Sequence, residues 1–197
     1  MKIGLVIVLS YLLGNISTGF LLGKWLRKTD IREFGSKNAG ATNALRVFGV
    51  KIGLMTLAGD MLKGFLATRI GFALGGELVM AIAALSVVIG HNYPVFLKFK
   101  GGKGIATTAG VLLALSPILL LVQVGIMALI VWVTKYVSLG SVVNAILLPI
   151  LIAIFYRPFS GTLVAATVLM GLMAVFRHRA NIVRLINGTE RKLGEKV

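Results

Sequence analysis

Residues 105–134 read IATTAGVLLALSPILLLVQVGIMALIVWVT. The run is apolar and longer than the roughly 20 residues that one membrane crossing needs. It contains Ser116-Pro117. Serine before proline reads as an N-cap followed by proline at the first helical position. The pattern predicts a short helix over about 105–115 and a longer one over about 117–134. Whether the chain crosses here once or twice sets the parity of all its crossings, and therefore the side on which its tail emerges.

The rest of the chain has the same character. Of its 197 residues, 57% are hydrophobic and 14% charged, with mean hydropathy +0.95. Ordinary soluble domains run about 45–50% apolar, so much of this surface must face lipid. Further apolar stretches fall at about 3–23, 52–74, 78–97, 139–156 and 160–176. The first begins like a signal peptide, with Lys2 ahead of an apolar run. It is too long and lacks a closing small-x-small site, so it reads as a retained span. No soluble domain, low-complexity tract or internal repeat is visible, and residues 1–197 read as one integral-membrane domain.

Charge settles the parity. Lysine and arginine number 21 against 6 acidic residues, a net charge of +15. Lys24, Arg27, Lys28, Arg32, Lys37, Arg46 and Lys51 sit in or beside the first loop, and Lys98, Lys100 and Lys103 follow the third span. Arg177, Arg179, Arg184, Arg191, Lys192 and Lys196 crowd the tail. The other connections carry only Arg69, Lys135 and Arg157. Basic loops stay on the cytoplasmic side and face anionic lipid, which accounts for the charge without nucleic acid. The first loop, the third loop and the tail share that side only if the number of crossings is odd. Splitting 105–134 gives seven. The expectation is an all-α polytopic membrane protein with seven transmembrane segments, one or two of them short, its N-terminus outside and C-terminus cytoplasmic.

Three polar stretches then meet on one face: EFGSKNAGATNALRVFG (33–49), GHNYPVFLKFKGGKGIAT (90–107) and FRHRANIVRLINGTE (176–190). In the second, glycines let backbone approach a ligand closely, and successive N–H groups form an anion nest. A helix starting near Ile105 adds its N-terminal dipole. Lys103 adds charge, and Thr107 or Thr108 a hydroxyl. The spacing is neither a Walker A loop nor a dinucleotide fingerprint. In the first stretch, Ser36, Asn38, Thr42 and Asn43 offer hydrogen bonds, and Thr42 and Arg46 share a helical face. Arginine suits bidentate phosphate binding. In the third, His178, Asn181 and Arg184 recur at helical spacing on one face. Asp60 and Lys63, three apart inside the second span, suit a local ion pair.

The chemistry available is narrow. Cysteine is absent, histidines number two, and no carboxylate cluster provides a metal site. Paired aspartates of lipid-alcohol phosphotransferases are missing, and neither His91 nor His178 has an aspartate four residues on. A pocket rich in donors and poor in bases suits a substrate already activated by phosphate, needing only positioning and stabilisation of a leaving group. The rival from another class is a transporter for an organic phosphate. It is disfavoured because transporters place polar sites at mid-membrane between repeats.

GSKNAGATN, GHNYPVFLKFKGGKGIAT and HRANIVRLINGTE resemble the three cytoplasmic motifs of the bacterial acyl-phosphate-dependent glycerol-3-phosphate acyltransferases (PlsY), and the resemblance extends over the whole chain. It implies a seven-span enzyme of the bacterial inner membrane. The reaction moves a fatty acyl group from acyl phosphate to glycerol 3-phosphate, giving lysophosphatidic acid and phosphate, the first step of phospholipid synthesis. It implies no metal, cofactor, coenzyme A, acyl carrier protein or obligate protein partner. Membrane lipid and both substrates are the expected partners, with the enzyme that makes acyl phosphate as a candidate neighbour. Ser36, Lys103, His178 and Asn181 would be catalytic. Asn38, Thr42, Asn43, Arg46, Gly101, Gly102, Gly104 and Thr107 would bind substrate, and His91 and Asn92 would support the motif structurally. Two groups are open as acceptor of the hydroxyl proton: His178 and a substrate phosphate oxygen.

Overall fold

The computed structural model describes residues 2–195, without the side chain of Lys2; Lys196, counted above in the basic tail, lies outside them. Nine α-helices and two short 3-10 turns, with no strand, make up the described residues. The helices are α1 (Lys2–Asn15), α2 (Thr18–Arg27), α3 (Ala41–Phe48), α4 (Val50–Asn92), α5 (Ile105–Leu115), α6 (Pro117–Thr134), α7 (Val137–Phe155), α8 (Gly161–Arg177) and α9 (Arg179–Ile186).

The split within 105–134 occurs where the Ser-Pro pair places it. α5 ends at Leu115, Ser116 is extended, and the Ser116 hydroxyl accepts the Leu119 N–H at 3.4 Å while Pro117 opens α6. One expected span behaves differently. The apolar stretch at 3–23 is interrupted at Ile16–Ser17, between α1 and α2. There the Lys63 ammonium donates to the carbonyls of Gly14 (3.1 Å) and Ile16 (2.6 Å), satisfying groups that a continuing helix would have bonded itself.

α4 is too long to be one straight rod, because its 43 residues would extend about 65 Å, roughly twice a bilayer's hydrocarbon thickness. Gly75 and Gly76 leave helical geometry, and the chain doubles back. The return arm packs so closely that a β-carbon on Gly71 would meet the Ala83 β-carbon at 2.6 Å. The two arms correspond to the stretches expected at 52–74 and 78–97.

This hairpin is the centre of the molecule. α1 lies on its return arm, α5 on its outgoing arm, and α3 and α8 also pack against it. Small residues set these distances: a β-carbon on Gly90 would sit 2.1 Å from the Tyr11 carbonyl oxygen of α1. Val87, Val88, Val111, Leu112, Leu148, Ile152, Leu163 and Met170 fill the core between α4, α5, α7 and α8. Outward faces stay apolar, with Ile118, Leu121, Trp132 and Leu172 all more than 60% exposed, as lipid-facing helices require. Among the described residues, four stretches are long and apolar enough to cross a membrane (Ile3–Arg27, Val50–Leu97, Pro117–Thr134 and Val137–Phe155), and Gly161–Arg177 with Arg179–Ile186 passes the same test only as a pair bent by 56°. α5 is a shorter apolar helix.

Candidate active site

The three polar stretches converge. Asn38 donates to the Gly101 carbonyl at 3.4 Å, joining the first loop to the glycine-rich one. Arg177, the last residue of α8, donates to the carbonyls of Gly102 (3.0 Å) and Gly101 (2.9 Å), joining that loop to the tail. Arg46 donates to the Arg191 carbonyl at 3.2 Å, and the Leu193 N–H to the Lys135 carbonyl at 2.8 Å. Between these segments lies a cavity of about 480 Å³.

Nine of the twelve expected site residues line this cavity: Ser36, Asn38, Thr42, Asn43, Arg46, Lys103, Gly104, His178 and Asn181. Gly101, Gly102 and Thr107 do not. The Gly102 N–H donates to the His91 carbonyl at 3.1 Å, and a β-carbon there would fall 2.0 Å from His91 Nε2. These two glycines therefore seat the loop on His91. Thr107 is fully buried against the outgoing arm of α4, its carbonyl 2.1 Å from where a Gly64 β-carbon would stand. The cavity wall starts one step later, at Lys103 and Gly104, and continues into Ile105 and Ala106 at the first turn of α5. A helix start of this kind presents free N–H groups and positive dipole to an anion.

Each polar side chain is held by identifiable partners. Asn43, 2% exposed, organises the first loop: its Oδ1 accepts the Ser36 N–H at 2.9 Å, and its amide donates toward the Ile31, Phe34 and Asn38 carbonyls. Its donors are thus committed to the loop, and the freer hydroxyls nearby are Ser36 and Thr42. Lys103 donates to Asn181 Oδ1. Asn181 in turn donates to Glu190 at 2.7 Å. Burial pulls the Lys103 ammonium down to about 8; Glu190 opposes that shift, and Arg184, Arg177 and Arg46 reinforce it. Burial likewise pulls Arg46 below its ordinary value. His178 joins α8 to α9. Its Nδ1 lies 2.8 Å from the Ala174 carbonyl, which assigns that nitrogen the proton and leaves Nε2 an acceptor. Burial, then the neighbouring Lys103, lowers His178 to about 4, so the imidazole is neutral near pH 7.

Sequence reasoning missed Glu190. The carboxylate is 7% exposed and accepts from Ser138 (2.8 Å), Asn181 and Arg184 (2.7 Å). Burial alone pushes it up, but bonds from Asn181, Ser138 and Arg184 outweigh that and hold it below its usual value. A lone acid among Arg184, Arg191 and Lys192 was the available signal. Asp60 and His91 also reach the cavity wall. Asp60 and Lys63 form the expected pair at 2.8 Å, and His91 joins it. A second cavity of about 240 Å³, nearly all apolar, shares Leu57, Ile105, Ala106 and Met127 with the first.

This chain is similar to known proteins along nearly its whole length. A family model described as glycerol-3-phosphate acyltransferase matches residues 4–188. The glycerol-3-phosphate acyltransferase of Thermoanaerobacter pseudethanolicus is 47% identical over 192 residues, covering 98% of this chain and 96% of that protein. That of Bacillus subtilis is 44% identical over 193 residues, covering 98% of each. The crystal structure of PlsY, an integral membrane glycerol 3-phosphate acyltransferase, in its glycerol 3-phosphate form superposes with TM-score 0.92 at 36% identity, covering 98% of this chain and 96% of that one. Its lysophosphatidic acid form gives 0.89 at 35% over the same shares. Integral-membrane relatives and several long apolar helices make this chain a multi-pass membrane protein. With its motifs gathered around one anion-seeking cavity and its relatives matched from end to end, the chain belongs to the glycerol-3-phosphate acyltransferase family.

Proposed function

We propose that this acyltransferase takes its acyl group from acyl phosphate and places it on the primary hydroxyl of glycerol 3-phosphate. The products are lysophosphatidic acid and inorganic phosphate, and the site is the cytoplasmic membrane of a bacterium. One observation carries the reading: Ser36, Arg46, Lys103, His178 and Asn181, from three distant segments, line one cavity that borders an apolar one. The polar chamber suits phosphate groups and the apolar one an acyl chain. The PlsY forms holding glycerol 3-phosphate and lysophosphatidic acid support the acceptor and the product.

The hydroxyl oxygen attacks the acyl carbonyl carbon, the carbonyl–phosphate oxygen bond breaks, and the hydroxyl proton ends on the departing phosphate. Lys103 and Arg46 stabilise the negative charges, with the first turn of α5 facing the same chamber. Ser36, Asn38 and Thr42 orient the substrates. Asn181 fixes the Lys103 ammonium. A neutral His178 with Nε2 as acceptor suits orientation of the attacking hydroxyl. A value near 4 makes it a weak base at pH 7 and favours a phosphate oxygen as the final proton acceptor.

The chain acts as one membrane unit. Seven crossings are supported by the two arms of α4 and by the bonds that tie the tail to the first loop and to Lys135. Purified protein in detergent, given acyl phosphate and glycerol 3-phosphate, is expected to release one phosphate per lysophosphatidic acid formed. Release that does not depend on glycerol 3-phosphate, or equal transfer from acyl-coenzyme A, would overturn the donor assignment.

A further inference from the structure

Three charged or titratable groups at one wall of the cavity, Asp60 and His91 lining it and Lys63 behind them, are not used by the mechanism above. Lys63 Nζ, 4% exposed, faces Asp60 Oδ1 at 2.8 Å, His91 Nδ1 at 2.9 Å, and the Gly14 and Ile16 carbonyls. Asp60 also accepts from the Thr18 hydroxyl at 3.1 Å. An ammonium has only donors, three shared among these four acceptors, so His91 Nδ1 carries no proton and Nε2 does. That Nε2 edge stands where a Gly102 side chain would be, and the His91 carbonyl holds the Gly102 N–H. Lys103 follows immediately. A chain of contacts thus runs from the α1–α2 break through Lys63 and His91 to the loop carrying Lys103.

A buried ion pair is weak evidence of stabilisation, because apolar replacements of both partners are often neutral. A chain this apolar had cheaper ways to join α1 to α4. We infer that Asp60, Lys63 and His91 are positioning residues that set the register of residues 101–104, and through it the placement of Lys103 against substrate phosphate. Lys63 fixes the ring of His91, and the ring and carbonyl of His91 fix Gly102. The inference rests on reading that loop as the phosphate-holding element.

The test separates register from stability. Lys63→Met alone strands a buried carboxylate and destabilises the protein. The double variant Asp60→Asn/Lys63→Met removes both charges. Thermal unfolding in detergent is expected to recover most of that loss, the remainder coming from the Gly14 and Ile16 carbonyls that Lys63 no longer satisfies. KM for glycerol 3-phosphate or for acyl phosphate is expected to stay raised by about 10- to 100-fold, up to the cost of a 1 Å misplacement. His91→Gln keeps the Asp60–Lys63 pair, and its expected result is the same split, parent-like unfolding with raised KM. It also serves if the double variant does not fold. Kinetics that recover together with stability in the double variant, or an unchanged KM in folded His91→Gln, overturn the inference. Lys103→Met is the reference. If it leaves both KM and kcat untouched, the phosphate reading of the loop fails and the inference falls with it. If it impairs the reaction while His91→Gln does not, only the positioning chain falls.

Discussion

Lys103 and His178 face the same chamber but titrate on opposite sides of neutrality. Lys103, drawn down to about 8 by burial, loses its charge as pH rises through that value. For the free enzyme, kcat/KM should fall along an alkaline limb near pH 8, since kcat/KM reports groups of the unliganded site. Lys103→Met should remove that limb and lower kcat/KM by about 10²–10³, the loss seen when one stabilising donor leaves such a site. His178, at about 4, stays neutral across the working range. His178→Ala should lower the rate yet leave the profile between pH 6 and 8 unchanged in shape. Disappearance of a limb near neutrality in that variant would make His178 the proton acceptor. The sequence exposed both residues through their motifs. It did not expose their protonation states, which depend on burial and on charges from distant segments: Glu190 and the arginines for Lys103, and Lys103 itself for His178.

Helix contacts carry the site, and glycine sets their separation. A β-carbon on Gly90 would press 2.1 Å from the Tyr11 carbonyl oxygen, whereas one on Gly125 in α6 would meet nothing within 4 Å. Gly90→Ala should therefore destabilise by about 1–3 kcal/mol through overpacking. Gly125→Ala should be neutral or stabilising by up to about 1 kcal/mol, since alanine is the better helix former. Unfolding titrations of the two variants in one detergent check the contrast. Element boundaries were legible where local chemistry marks them, as at Ser116-Pro117. The break at Ile16–Ser17 was not, even with Ser17 in an N-cap position, because Asn15, Ser17 and Thr18 interrupt the apolar run only briefly before Phe20, Leu21 and Leu22 resume it. The group that makes the break tolerable is Lys63, 47 residues away. In the same way, GGKG was legible as a special loop, while the job of its first two glycines depends on His91 lying beneath them.

At the scale of the whole molecule, charge distribution and cavity placement constrain one another. The first loop, residues 98–104 and the tail hold most of the 21 basic residues and also build the polar cavity. Because cationic loops stay cytoplasmic, the topology proposed above would open a site made from them where soluble phosphorylated substrates arrive. The proposed topology has the segment 105–134 cross twice, putting Lys135 inside and Arg157 outside. A single crossing would exchange those sides and carry the tail away from the first loop, against the Arg46–Arg191 and Lys135–Leu193 bonds. The natural chain has no cysteine, so single reporters Lys100→Cys, Lys135→Cys and Arg157→Cys give a clean reading. In intact cells a membrane-impermeant maleimide should label Arg157→Cys alone, and in inverted vesicles it should label the other two. Labelling of Lys135→Cys from outside would reduce α5 and α6 to one crossing, place the tail opposite the first loop, and dismantle the shared cavity on which the acyl-transfer mechanism depends.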